Sequence, residues 1–147
     1  MAQKENNIIP MIFDEAFYRK MATQKWRQQD YKKAAEYYEK VLELSPKDFD
    51  IQQHYAQCLV KLNIGKKAER LFYENIVKDF HVAESFYELS QLNIELNEPN
   101  KAFLFGINYV ILSEDKDFRE MLEKTFEVAY TNEQKIELEA QLFSTQL

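Results

Sequence analysis

Apolar and small residues return along this chain with two superimposed periods. The short one is helical: Tyr18, Met21, Ala22 and Lys25 recur at spacings of three and four, which places them on one face of a helix. The long one is 34 residues. Ala34, Ala68 and Ala102 share one register, as do Ala22, Ala56 and Ser90, then Met21, Tyr55 and Leu89, then Leu42, Ile76 and Val110. No insertion breaks the count. A fixed period with small residues at two set positions predicts a stack of helix-turn-helix units, in which small side chains let paired helices approach closely. Three units follow, 15–48, 49–82 and 83–116.

Punctuation between the apolar stretches fits that division. Asp14 stands where its carboxylate can cap the first helix. Gln29-Asp30-Tyr31, Asn63-Ile64-Gly65 and Asn97-Glu98-Pro99 make the turns inside the units, with Pro99 tolerated in the first turn of the next helix. Ser45-Pro46 closes the first unit, because proline lacks a donor and disfavours helix in the residue before it. The second unit departs from the pattern at Gln52, Asn75 and Phe80. The third carries Gly106 where an aromatic residue is expected and Tyr109 three residues later, which predicts that the Tyr109 ring fills the volume left at Gly106. Past Lys116 the register stops and the helical pattern continues through Phe118, Met121, Leu122, Phe126, Val128 and Ala129. Thr131 with Gln134 reads as a capping box opening a last helix that carries Ile136, Leu138, Leu142 and Phe143. Residues 117–147 are therefore expected to form two capping helices, and residues 1–14, with the apolar run Ile8 to Phe13, an N-terminal arm.

Taken together these residues resemble the tetratricopeptide repeat (TPR) family. The resemblance implies an all-α, right-handed TPR solenoid of three repeats and two capping helices, acting as a protein-protein interaction module. It also implies that the first helix of each unit lines a concave groove. The candidate groove residues are Arg19, Lys20, Thr23, Trp26 and Arg27 from the first unit, Gln53, His54 and Gln57 from the second, and Glu84, Tyr87, Glu88 and Gln91 from the third. Amides and aromatic anchors in such stripes suit the backbone and side chains of an extended peptide. One TPR subclass grips acidic C-termini with a clamp of Lys, Asn, Asn, Lys and Arg. The matching positions here are Arg19, Thr23, His54, Glu84 and Glu88, and the two glutamates would repel a carboxylate. The chain is also similar to the N-terminal part of longer TPR proteins of Gram-positive bacteria, which implies an excised domain whose partner is the remainder of its parent chain.

Composition narrows the functional classes. The net charge of −6 counts against nonspecific nucleic-acid binding, which needs clustered positive charge. The three units carry +2, +1 and −4 in order, a polarity that would orient an extended ligand with acidic residues near Arg19, Lys20 and Arg27 and basic ones near Glu84, Glu88 and Glu95. Cys58 is the single cysteine, which excludes an internal disulfide and fits a reducing, cytoplasmic compartment. No stretch reaches the roughly 20 apolar residues of a membrane span, and the N-terminal run is too short for a signal peptide. His54 and Cys58 stand at i and i+4, but no third ligand joins them, so Cys58 is read as a packing residue and His54 as groove surface. With two glycines there is no phosphate loop. The chain is expected to be no enzyme, to need no cofactor and no metal, and to act as an adaptor or scaffold. The alternatives are a small acidic TPR chaperone for a secreted or insoluble client, and a self-association domain.

Overall fold

The computed structural model describes residues 14–126 of the chain. Among them all regular structure is helical, in seven segments: α1 (Glu15–Arg27), α2 (Tyr31–Leu44), α3 (Phe49–Lys61), α4 (Gly65–Val77), α5 (Val82–Glu95), α6 (Pro99–Ser113) and α7 (Lys116–Phe126). The arm at Ile8 to Phe13 and the helix expected to open at Thr131 lie outside the described residues. The fold is all-α and of the helical-repeat kind. Contacts divide it into two compact units at Phe80/His81. In the first, α1 packs on α2, α2 on α3, and α3 on α4. In the second, α5 packs on α6 and α6 on α7.

The turns between paired helices repeat the 34-residue period in backbone geometry. Gln29, Asn63 and Asn97 take left-handed conformations, with φ of 60°, 61° and 58°. At each, the next amide donates back across the helix end: Asp30 to the Lys25 carbonyl at 2.9 Å, Ile64 to Leu59 at 2.8 Å, Glu98 to Asn93 at 2.9 Å. This is the Schellman closure of a helix, which satisfies carbonyls otherwise left without donors. Three side-chain caps start helices in the first unit. Asp14 accepts from the Phe17 amide at 3.0 Å, Asp30 from Lys33 at 3.2 Å, and Asp48 from Ile51 at 3.1 Å. Pro99 occupies the first turn of α6, where its missing donor costs nothing.

Small residues line the helix crossings. Ala22, Ala34, Ala56, Ala68, Ser90 and Ala102 are all 0% exposed, as close approach of paired helices requires. Phe72, Val41 and Leu89 are fully buried beside them, each contributing about 1.5–3 kcal/mol of transfer free energy.

The departures in the second repeat form one set. Gln52, Gln53 and Asn75 are buried. The Asn75 side-chain amide donates to Gln53 Oε1 at 2.9 Å and to the Phe49 carbonyl at 3.0 Å, while its Oδ1 accepts from Gln52 Nε2 at 2.9 Å. A polar set thus replaces an apolar contact across the α3–α4 pair. Phe80 stands where the first repeat has Pro46, and its amide donates to the Asn75 carbonyl at 2.9 Å. Proline has no such donor, so this helix end requires another residue.

At Gly106 the structure corrects the expectation. The space beside it is taken by Leu122 of α7, not by Tyr109: a Cβ on Gly106 would lie 2.6 Å from Leu122 Cδ2 and 3.0 Å from Ser90 Oγ. Ser90 Oγ itself donates to the Ala102 carbonyl at 2.7 Å. The Tyr109 ring packs instead edge-on against Tyr87 and Phe118, with centroids 5.2 and 5.0 Å away, and its hydroxyl donates to Asp115. Asp115 also caps α7, accepting from the Phe118 amide at 2.9 Å. Helix α7 is therefore seated in the third helix pair through a glycine notch.

Candidate functional site

One stripe of α1 presents a polar surface to solvent. Arg19, Lys20, Thr23, Gln24, Arg27 and Gln28 line a shallow concavity of about 700 Å³. Their spacing of four and one keeps them on a single side of the helix. Lys20, Thr23, Gln24, Arg27 and Gln28 are all exposed. No carboxylate is among the lining residues, although the chain as a whole carries −6.

The three cations of this stripe are not equivalent. Arg19 bonds both Glu15, one turn earlier on α1, and Asp48, the cap of α3. Glu15 further accepts from the Ser45 hydroxyl at 2.9 Å. Hydrogen bonds from Arg19 and Ser45 hold the Glu15 carboxyl below its ordinary range. At Asp48 burial pushes the carboxyl up, but the Arg19 bond and the Ile51 amide outweigh it, and the net shift is downward. Arg19 is thus a clip that fastens the start of α1 to the turn before α3, and its charge is largely spent there. Lys20 and Arg27 have no ion pair among the described residues. They are the available positive charges of the stripe. Thr23 donates its hydroxyl to the Arg19 carbonyl at 3.0 Å and is exposed. Trp26 is half-buried, its ring edge-on to Tyr31 at 5.1 Å.

On α3 the expected residues separate. His54 is exposed, and its ring stacks on Tyr38 of α2 at 5.9 Å. Gln57 is half-buried. Gln53 is a correction: at 3% exposure, with its oxygen taken by Asn75, it belongs to the α3–α4 contact and not to a ligand surface. Cys58 is fully buried, and burial pushes its thiol up to about 12, so it is an inert packing group. Tyr55 donates to Glu39 of α2 at 2.6 Å, tying two neighbouring helix pairs.

On α5, Glu84 is exposed and lies 4.0 Å from His81 Nδ1, and Glu88 is half-buried. Tyr87 and Gln91 are engaged within their own unit. The Tyr87 ring packs on Phe118 at 5.3 Å as well as on Tyr109, and its hydroxyl accepts from Gln91 Nε2 at 3.3 Å. Tyr87 is consequently a seat for α7 rather than an open anchor. Gln24 and Gln28 are the α1 lining residues absent from the expected stripe. Each lies one residue beyond an expected position, Thr23 and Arg27, and the helical wheel alone could have supplied them.

Comparison with known proteins bears on the fold. Residues 25–72 match the model of the tetratricopeptide repeat. Among solved structures, the crystal structure of MamA protein superposes with a TM-score of 0.68 at 19% identity, covering 88% of this chain and 72% of that one. The likeness is one of fold. No curated protein matches the sequence.

Proposed function

We propose that this chain, whose residues 25–72 match the tetratricopeptide repeat and whose fold is like that of MamA protein, works as an adaptor that holds a segment of a partner protein along the polar stripe of α1. The observation that carries this reading is the concavity at Lys20, Thr23, Gln24, Arg27 and Gln28. Exposed donors converge there on a helix whose opposite side is already committed to α2. Amide and hydroxyl groups in a row can satisfy the backbone of an extended chain, and Trp26 offers a flat apolar edge beside them. His54 and Gln57 extend the polar surface of the same unit on α3. An adaptor that binds through a surface needs neither cofactor nor bond-making groups. Among the described residues, no three His, Cys, Asp or Glu side chains are grouped to hold a metal.

Site-specific photo-crosslinking tests the reading. A crosslinker placed at Gln24 or Gln28 is expected to trap a partner polypeptide in cells, and the same group at Glu36, exposed on α2, is not. Equal adducts from Glu36, or none from α1, would overturn it. The adduct also sorts the roles. A client that precipitates when this chain is withdrawn indicates a chaperone, and a second copy of the chain indicates self-association.

A further inference from the structure

The polar stripe of α1 carries information about what it accepts. Lys20 and Arg27 are seven residues apart, so they lie two turns apart, within about 20° of one direction and about 10.5 Å along the helix axis. Both are exposed and without ion-pair partners among the described residues, and no carboxylate lines the concavity between them. Two acidic groups of the same unit, Glu15 and Asp48, are held by Arg19. Thr23 and Gln24 fill the interval with neutral polar groups.

Resting on the partner-segment reading above, we infer that the segment held on α1 is acidic and extended, with two carboxylates three residues apart, one on Lys20 and one on Arg27. The spacing selects the backbone. In a polyproline II segment, residues i and i+3 point to the same side about 9.3 Å apart, which the flexible Lys and Arg side chains span without strain. In a β-strand the same-side residues i and i+2, or i and i+4, are about 7 or 13 Å apart. Both miss the interval by about 3 Å. The Gln24 amide, midway between the cations, can bond a backbone group of the two intervening residues. This is a different arrangement from the five-residue carboxylate clamp, since neither Lys20 nor Arg27 occupies one of its positions and the site lies on one helix.

Amide NMR titration of the full chain tests it with defined probes. The first is a capped hexapeptide Gly-Glu-Pro-Pro-Glu-Gly, which is preset in polyproline II. The others are its Gln-Pro-Pro-Gln counterpart, an isomer with adjacent glutamates, and a helical peptide with glutamates seven apart. The first is expected to shift α1 resonances around residues 20–28 and to bind at least about threefold more tightly than the second and third, as one exposed ion pair allows. The advantage should fade as salt rises and the Debye length shortens. Lys20→Gln and Arg27→Gln should each weaken it about threefold, while Arg19→Gln changes it less, with circular dichroism confirming an unaltered fold. Equal binding of the Gln peptide at α1 would overturn the acidic assignment and leave the partner-segment reading standing. Preference for the helical probe would overturn the extended backbone. No shift at α1 with any probe, up to millimolar peptide, would sink both.

Discussion

A methyl group added at Gly106 would meet Leu122 Cδ2 at 2.6 Å, so the glycine is there for a neighbouring helix and not for its own backbone. Gly106→Ala should gain up to about 1 kcal/mol in helix propensity and lose about 1–3 kcal/mol to overpacking. A net fall in melting temperature is expected, and combining it with Leu122→Ala should recover part of the loss relative to Leu122→Ala alone. A melting temperature unchanged by Gly106→Ala would show that Leu122 moves freely out of the notch. At the helix ends the opposite change should help. Gln29 sits at φ 60°, a conformation that costs a residue with a Cβ about 1–2 kcal/mol. Gln29→Gly should raise stability by about 0.5–1 kcal/mol after the glycine's added unfolded-state entropy, measured by calorimetry. The same change at Asn63 should gain less, because asparagine tolerates the left-handed region.

Between elements, the strongest dependence lies in the α3–α4 amides. Asn75→Ala removes the buried hydrogen bonds that Gln52 Nε2 and Gln53 Oε1 make to it, leaving Gln52 with its 3.4 Å bond to the Leu71 carbonyl, and each buried bond lost in this one-sided way costs about 1–3 kcal/mol. Replacing Gln52 and Gln53 by Leu in the same chain removes the groups that lost a bond, so the triple variant should be more stable than the single one. Additive losses in denaturant melts would contradict that coupling. The Arg19 clip adds a pH signature. Asp48 has a folded-state value below its ordinary one. The unfolded chain therefore binds protons first as acid is added, and the stabilisation present above about pH 4 is lost as pH falls through the folded value. The stability difference between the wild type and Asp48→Asn should accordingly shrink from pH 6 towards pH 3. A difference that stays constant would show the clip to be electrostatically idle. Helices, turns and crossings were legible in the sequence because the repeat states each three times over, so that Ala22, Ala56 and Ser90 vouch for one another. The amide set was visible only as two departures. Gln52 and Asn75 are 23 residues apart, and nothing in either stretch alone says that they meet. Gly106 was misassigned to Tyr109 because its true partner, Leu122, lies past the point where the register ends. The candidate groove residues lie on helices, but a wheel does not show that Asn75 already occupies Gln53 or that Asp48 already occupies Arg19.

Over the whole molecule, charge is divided as sharply as contact. Residues 1–80 carry fourteen Lys and Arg against twelve Asp and Glu, or +2. Residues 81–147 carry five against thirteen, or −8, and the two add to the chain's −6. Self-repulsion of that size opposes compactness and is relieved by screening. Raising salt from about 20 mM to about 300 mM should therefore slow amide exchange in α5 to α7 more than in α1 to α4. A uniform response would show that the acidic side chains are too well solvated to matter. The buried amides have a further consequence, for how such a chain can be recombined. A helix pair joined by alanine and leucine contacts can trade either member with another repeat, because apolar surfaces do not discriminate. Gln52 and Gln53 accept only a second helix bearing Asn75 or its equivalent, and Asn75 in a foreign pair would bring an amide with nothing to bond. Residues 49–77 are thus an indivisible cassette, which duplication or grafting can move whole but cannot split.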